Sequence, residues 1–372
     1  MKKKIIVALF LLLYKFNISA QILNNESTKK AISTGLDKMY SYDFSESNEI
    51  FNQLKAKYPQ HPLSYLLHAI QLELQFFPLK DHPSQQKVYL ANLNLSKAWS
   101  EKLLEKNEDD IEANFFMLAT LGYLAAYNAD NQEFFKAVGV AKKAYGYLKK
   151  GLVWSSKEPE YLYTSGIYNY YRISYPETHP MIKPVIWMFA DGDKKLGLKQ
   201  LELASQKATF VKTEATFYAG YVYMKYENNP IKALTFSNLL ITKYPNNLLF
   251  QMQRAELLTL SGKYQESLNF TDILTKQKSV MFQCAGLVFK GIITEKDKKD
   301  DKQAEILYQK AIQMPFDERF TKDYHAMAYL GIARIAKRQG NREKMKANIN
   351  IALKIAEYAS TVKEAENLLK NN

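Results

Sequence analysis

A chain of 372 residues with 51 Lys and Arg against 38 Asp and Glu carries a formal charge of +13. It is long enough for a large core, or for two or three domains. Its single cysteine, Cys284, excludes an intramolecular disulfide framework, so stability must come from packing.

Met1 is followed by Lys2, Lys3 and Lys4, an apolar run from Ile5 to Tyr14, and then Asn17-Ile18-Ser19-Ala20-Gln21. That order of charged, apolar and small residues predicts a secretory signal peptide over residues 1–20, leaving a chain that starts near Gln21. The apolar run is half the roughly 20 residues that a spanning helix needs, and no later stretch is apolar enough to span. A retained anchor is the lesser alternative. Without Lys2, Lys3, Lys4 and Lys15 the charge falls to +9, from 47 basic and 38 acidic residues. The excess is scattered lysine with no arginine cluster, which reads as solvated faces and argues against a nucleic-acid partner. Export to a periplasm or cell surface is expected, and Cys284, set among Val280, Met281, Ala285 and Leu287, reads as a buried thiol.

Self-similarity then organises the chain. From Leu248 the sequence LLFQMQRAELLTLSGKYQESLNFTDILTKQ places Ala255 and Leu258 on one helix, Gly262-Lys263-Tyr264 in a turn, and Ser267, Thr271 and Leu274 on a second helix. Gly220, Ala233, Leu240 and Pro245 repeat the frame. So do Gly331, Gly340, Met345, Ile349 and Ala352, and near the start Gly35, Phe44, Ser47, Phe51, Leu54 and Pro59. Ala304, Tyr308, Ala311 and Pro315 mark another second helix. Weaker copies centre on Leu103, on Ala144 to Gly151, and on Gly197, Leu201 and Ala204. Small residues at these positions let two helices approach while bulky neighbours fill the gap beside them.

This frame resembles the tetratricopeptide repeat. The resemblance implies an all-α right-handed superhelical solenoid of seven or eight antiparallel helix pairs, with protein–protein interaction as its general function. Late second-helix markers at Leu54, Leu103, Gly151, Ala204, Leu240, Leu274, Ala311 and Ala352 divide the chain. Helix pairs with insertions occupy 21–209, regular repeats occupy 210–356, and a capping helix with Tyr358, Val362, Ala365 and Leu369 occupies 357–372. The insertions fall at Phe76–Lys87, Tyr127–Glu133 and Arg172–Asp193. Pro78, Pro83, Pro176, Pro180 and Pro184 predict loops in the first and last of these.

Motifs for chemistry are missing from the sequence: no phosphate loop, no nucleophile elbow, no zinc helix. His61, His82 and His179 each precede proline and read as turn residues, while His68 and His325 stand alone on helices. Asp191-Gly192-Asp193 with Glu202 imitates a calcium loop but has Leu196 where glycine is required, so Asp193 reads as an N-cap. The acids Glu158/Glu160 and Asp109/Asp110 read as partners of helix dipoles. No cofactor and no metal are expected.

Tyrosine is the one enrichment of interest, at 26 residues. The resemblance implies that first helices line the concave wall, and the frame puts Tyr163, Ile167, Tyr170 and Tyr171 there beside Phe217, Tyr221, Met224 and Lys225. These eight are the expected partner-binding groove between the fourth and fifth pairs, with Lys225 facing a partner carboxylate. Core filling by the same aromatics is the alternative. The expected function is a non-catalytic exported scaffold holding a polypeptide. A carbohydrate-binding accessory and an enzyme with a site in 172–193, built on Glu177, His179 and Asp191, are the rivals.

Overall fold

The computed structural model describes residues 22–178 and 183–370, and the expected leader Met1–Ala20 lies outside them. All regular structure among the described residues is helical. Eight antiparallel pairs follow one another: α1 (Glu26–Tyr40) with α2 (Phe44–Lys57), α3 (Pro62–Gln75) with α4 (Pro83–Lys106), and α5 (Ile111–Asp130) with α6 (Phe134–Trp154). Next, α7 (Tyr161–Thr178) pairs with α9 (Lys194–Lys207) across the single turn α8 (Lys183–Ile186). Then come α10 (Lys212–Lys225) with α11 (Pro230–Lys243), and α12 (Leu248–Leu260) with α13 (Tyr264–Thr275). The last pairs are α14 (Val280–Lys296) with α15 (Asp301–Ile312) and α16 (Lys322–Arg338) with α17 (Arg342–Ile355), capped by α18 (Ala359–Lys370).

Helix starts follow local chemistry. Asp110 accepts from the Ala113 N–H at 2.8 Å, Asp193 from Leu196 at 3.0 Å, and Asn247 from Leu249 and Phe250 at 3.1 and 3.3 Å. Each satisfies N–H groups that the first turn cannot pair internally. Gly262 and Gly340, both at φ +74°, make the tight turns before α13 and α17, a left-handed backbone that other residues adopt at a cost. At the α7–α9 crossing Gly166 meets Gly197: a Cβ on Gly197 would lie 2.6 Å from the Tyr170 backbone N. Only glycine permits that approach.

Three expectations are corrected. The extra length of the N-terminal half is largely helix, not loop: α4, α5 and α6 run 24, 20 and 21 residues, and Tyr127 to Asp130 still belong to α5. Proline also sits inside helices. Pro83 opens α4, where its missing N–H is one that would go unpaired anyway, and Pro176 lies within the last turn of α7. The capping helix begins at Ala359, so Tyr358 precedes it. His179 and Pro180 lie outside the described residues.

The stack winds tightly enough for distant pairs to touch. Asp37 of the first pair accepts from Lys243 Nζ and the Tyr244 hydroxyl, both at 2.6 Å. Asn247 Nδ2 donates to the Tyr40 carbonyl at 2.9 Å, and the Leu248 N–H donates to the Tyr42 hydroxyl at 3.1 Å. Further along, Lys80 pairs with Asp317, Asp130 with Arg319, and the Phe77 and Phe320 rings meet edge to face at 5.3 Å. The solenoid therefore encloses its own axis. No helix of the described residues is long and apolar enough to cross a membrane.

The frame is testable at its crossings. A Cβ on Gly331 would lie 2.3 Å from a Tyr308 ring carbon, and Ala233 is fully buried. Gly331→Trp and Ala233→Trp should each cost on the order of 1–3 kcal/mol, read as lower denaturation midpoints with helical circular dichroism kept. Unchanged midpoints in both would misplace the frame.

Candidate binding chamber

Inside the winding lies a cavity of about 540 Å³, within the range of small-ligand sites, about 300–1,000 Å³. Its lining comes from the first helix of every pair: Tyr40 (α1), Glu73 (α3), Tyr123 (α5), Tyr171 (α7), Tyr218 (α10), Glu256 (α12), Met281 (α14) and Tyr324 (α16). Phe77, Arg319, Phe320 and Tyr358 join them from connecting segments. Each first helix thus turns one stripe inward while its other face packs on neighbouring pairs.

Of the eight expected groove residues, Tyr171, Phe217, Tyr221 and Met224 line the chamber. The other four do not. Tyr163 packs among α9 and α10 residues, its ring 5.7 Å from that of Tyr218, and Ile167 packs in the cluster around Leu201. Tyr170 is fully buried, and its hydroxyl donates to Glu227 Oε1 at 2.5 Å. Lys225 is 4% exposed and turned to its own chain, with Nζ 2.6 Å from Asp323 and 2.9 Å from Glu357. Burial alone would lower its pKa, but Asp323, Tyr226 and Glu357 carry it above the usual lysine value. The partner-facing role expected for Lys225 is replaced by a structural one, because its charge is already matched.

α10 supplies six of the lining residues and is pinned at both ends. At its start the buried Glu160 carboxylate accepts from the backbone N–H groups of Thr209, Phe210 and Val211 at 2.6, 3.0 and 3.2 Å. Burial raises the Glu160 pKa, and those three N–H groups pull against it. The acid does serve a helix N-terminus, but that of α10, some 50 residues on, instead of its own. At the other end stands the Lys225 ion pair.

Glu73, Glu214 and Glu256 were missed in the sequence. Burial pushes their carboxyls up to about 7, 7 and 8, against pulls from Arg319 and Tyr89 on Glu73, Tyr40 on Glu214, and Tyr358 and Lys225 on Glu256. Their signal was an acid set inside an apolar first helix, as in Leu72-Glu73-Leu74 or Ala255-Glu256-Leu257. Arg319 is the chamber's one cation and pairs with Asp130.

Chemistry elsewhere is sparse. No group of three or more His, Cys, Asp and Glu residues among the described residues could hold a metal ion. Cys284 is buried, and burial pushes its thiol up to about 12. In the 172–193 segment, Arg172 donates to the carbonyls of Ala190 and Phe189, Asp191 is fully exposed, and Glu177 points to solvent. Trp154 packs on Tyr161, Trp187 is 77% exposed and Trp99 sits under Lys102, so no tryptophan reaches the chamber.

The fold is that of a tetratricopeptide-like helical repeat protein, an all-α solenoid. No protein-family model matches the chain, and no curated protein matches it. Among solved structures it is similar to a tetratricopeptide repeat protein from Parabacteroides merdae, with a TM-score of 0.43 and 13% identity over 82% of this chain and 99% of that one. It is also similar to human IFIT1, as a dimer with m7Gppp-AAAA, with a TM-score of 0.43 and 12% identity over 92% and 93%. Yeast Tom70 gives 0.37 and 14% over 98% and 77%.

Two outcomes follow from these charges. Removing one partner of a buried ion pair strands the other, so Lys225→Ala should cost about 3–5 kcal/mol in a denaturant melt; a loss within experimental error would show the pair to be solvated. Glu256 holds its proton better folded than unfolded, so its contribution is complete below the unfolded value near 4.5 and is lost as pH rises to about 8. The melting temperature should therefore fall from pH 5.5 to 8.5, and fall less in Glu256→Gln. Parallel curves would contradict the burial of that carboxyl.

Proposed function

We propose that the protein is an exported, non-catalytic scaffold that takes a short segment of a partner polypeptide into the chamber. The observation that carries this reading is the convergence of seven tyrosines, Tyr40, Tyr123, Tyr171, Tyr218, Tyr221, Tyr324 and Tyr358, on one cavity. Tyrosine brings a large apolar ring with a polar tip, and few torsions are lost on binding, which is why it anchors interfaces. The volume suits a chain end or a few residues, not a long extended strand. The charged and apolar start of the sequence, Lys2 to Tyr14, supports export.

A photo-crosslinking amino acid placed at Tyr221 in the chamber, and separately at Val153, which is 74% exposed on α6, tests the site in the cells that make the protein. Adducts to a polypeptide from position 221 and none from 153 are expected. Adducts only from 153 would move the partner to the outer surface. Tyr221→Ala and Phe217→Ala should each weaken capture of the crosslinked partner by roughly thirtyfold, the effect of truncating a central aromatic, while the protein stays helical.

A further inference from the structure

The chamber's unused hydrogen-bonding capacity is one-sided. Gln253 and Glu256 stand one turn apart on α12, both line the chamber and both are 3% exposed. Oε1 of each has no hydrogen-bond partner. The Gln253 amide has one orientation, because its Nε2 donates to the Phe217 carbonyl at 3.0 Å and leaves Oε1 as the atom without a partner. Glu214 on α10 also has an oxygen, Oε2, without a partner. Gln253 Oε1 accepts, and each carboxyl oxygen accepts once its acid has given up its proton; among the described residues no buried nitrogen or hydroxyl without a partner lines the chamber.

The remaining charges are already answered. Arg319 pairs with Asp130, and Asp323 with Lys225. Around Glu256 stand Tyr358, Tyr324 and Asp323, with Lys225 the one cation in range and already held by Asp323 and Glu357. A buried acceptor left without a donor costs more than a made hydrogen bond gains. A buried carboxylate without a cation costs more still.

We infer that the chamber recognises a primary ammonium group, which docks on Oε1 of Glu256 and Oε1 of Gln253 among the tyrosine rings. The inference rests on the chamber being the binding site. An ammonium brings three donors and no acceptor, which matches the unfilled set. Aromatic faces stabilise a desolvated cation as well, and Tyr221, Tyr324 and Tyr358 are on hand. A guanidinium fits less well: its planar fork favours two free oxygens of one carboxylate, and the Glu256 carboxyl already takes a hydrogen bond from Tyr358. The amine has two sources, a lysine side chain or chain end of a polypeptide and a free amine.

In the empty chamber burial holds the Glu256 carboxyl protonated, up to about 8. An ammonium that binds at pH 7 displaces that proton: the carboxylic acid and the alkylammonium become a carboxylate–ammonium pair, and one proton passes to the buffer. Calorimetry on the full chain at pH 7, in two buffers of different ionisation enthalpy, reads both affinity and proton release. The probes are Nα-acetyl-lysine methylamide, 1,5-diaminopentane and the Nε-acetylated lysine derivative.

At least one amine should bind tenfold or more tighter than the acetylated derivative, release close to one proton, and lose tenfold or more in Glu256→Gln with the helical signal kept. Glutamine copies the shape of the neutral acid, so this variant folds as the empty chamber does. Binding by the lysine derivative places the amine on a polypeptide. Binding by the diamine alone keeps the ammonium site and removes the polypeptide reading. Equal binding of the acetylated derivative without proton release overturns the ammonium site while leaving a polypeptide partner standing. No binding by either amine overturns the inference.

Discussion

A helix pair of this kind cannot bury its apolar stripe alone, and here the stacking that buries it also bends the stack until distant pairs meet. The buried Lys225 ammonium, shared between Asp323 and Glu357, is the clearest sign of that constraint. It joins the end of α10 to the start of α16 and to the link before α18. It is one of several ties across the axis, with Asp37 to Lys243 and Tyr244, Lys80 to Asp317, and Asp130 to Arg319. Surface pairs of this type contribute little each. The Lys225 pair is different because its ammonium is withdrawn from water and its two carboxylate partners are only partly exposed. Together the ties turn an open groove into a half-closed chamber.

Enclosure changes what the same side chains can do. Tyr221 or Phe217 on an open concave wall would be one contact among many; inside a chamber each is part of a wall that meets a ligand from several sides at once. The carboxyls of Glu73, Glu214 and Glu256 show the same consequence, pushed up to about 7, 7 and 8 because the ionised form is poorly solvated. A site with neutral acids and unfilled acceptors stores an electrostatic preference that appears only when a cation enters.

Much of the fold was legible because the repeat is written locally. Gly197, Ala233, Ser267 and Gly331 sit where helices cross, and Leu54, Leu240, Leu274 and Ala352 fall on second helices as the spacing requires. That first helices face inward also followed from the frame, and Tyr171, Phe217, Tyr221 and Met224 are on the lining for that reason. Tyr163, Ile167 and Tyr170 were misjudged because a first helix in the middle of a stack has two buried sides, one toward the axis and one toward the next pair. Closure was not legible. Contacts such as Asp37 with Tyr244 depend on small rotations summed over several pairs, and no local signal records that sum. For the same reason Glu160 looked like an acid for its own helix and Lys225 looked free.

The central claim is that the enclosed axis is the place where the partner is held. A crystal structure of the protein purified from the cells that make it, without refolding, tests this most directly. The account predicts ordered density from a bound chain segment or amine inside the chamber, within hydrogen-bonding distance of Glu256 and Gln253. A chamber holding water alone, in a protein whose partner is bound on the outer helices, would contradict it.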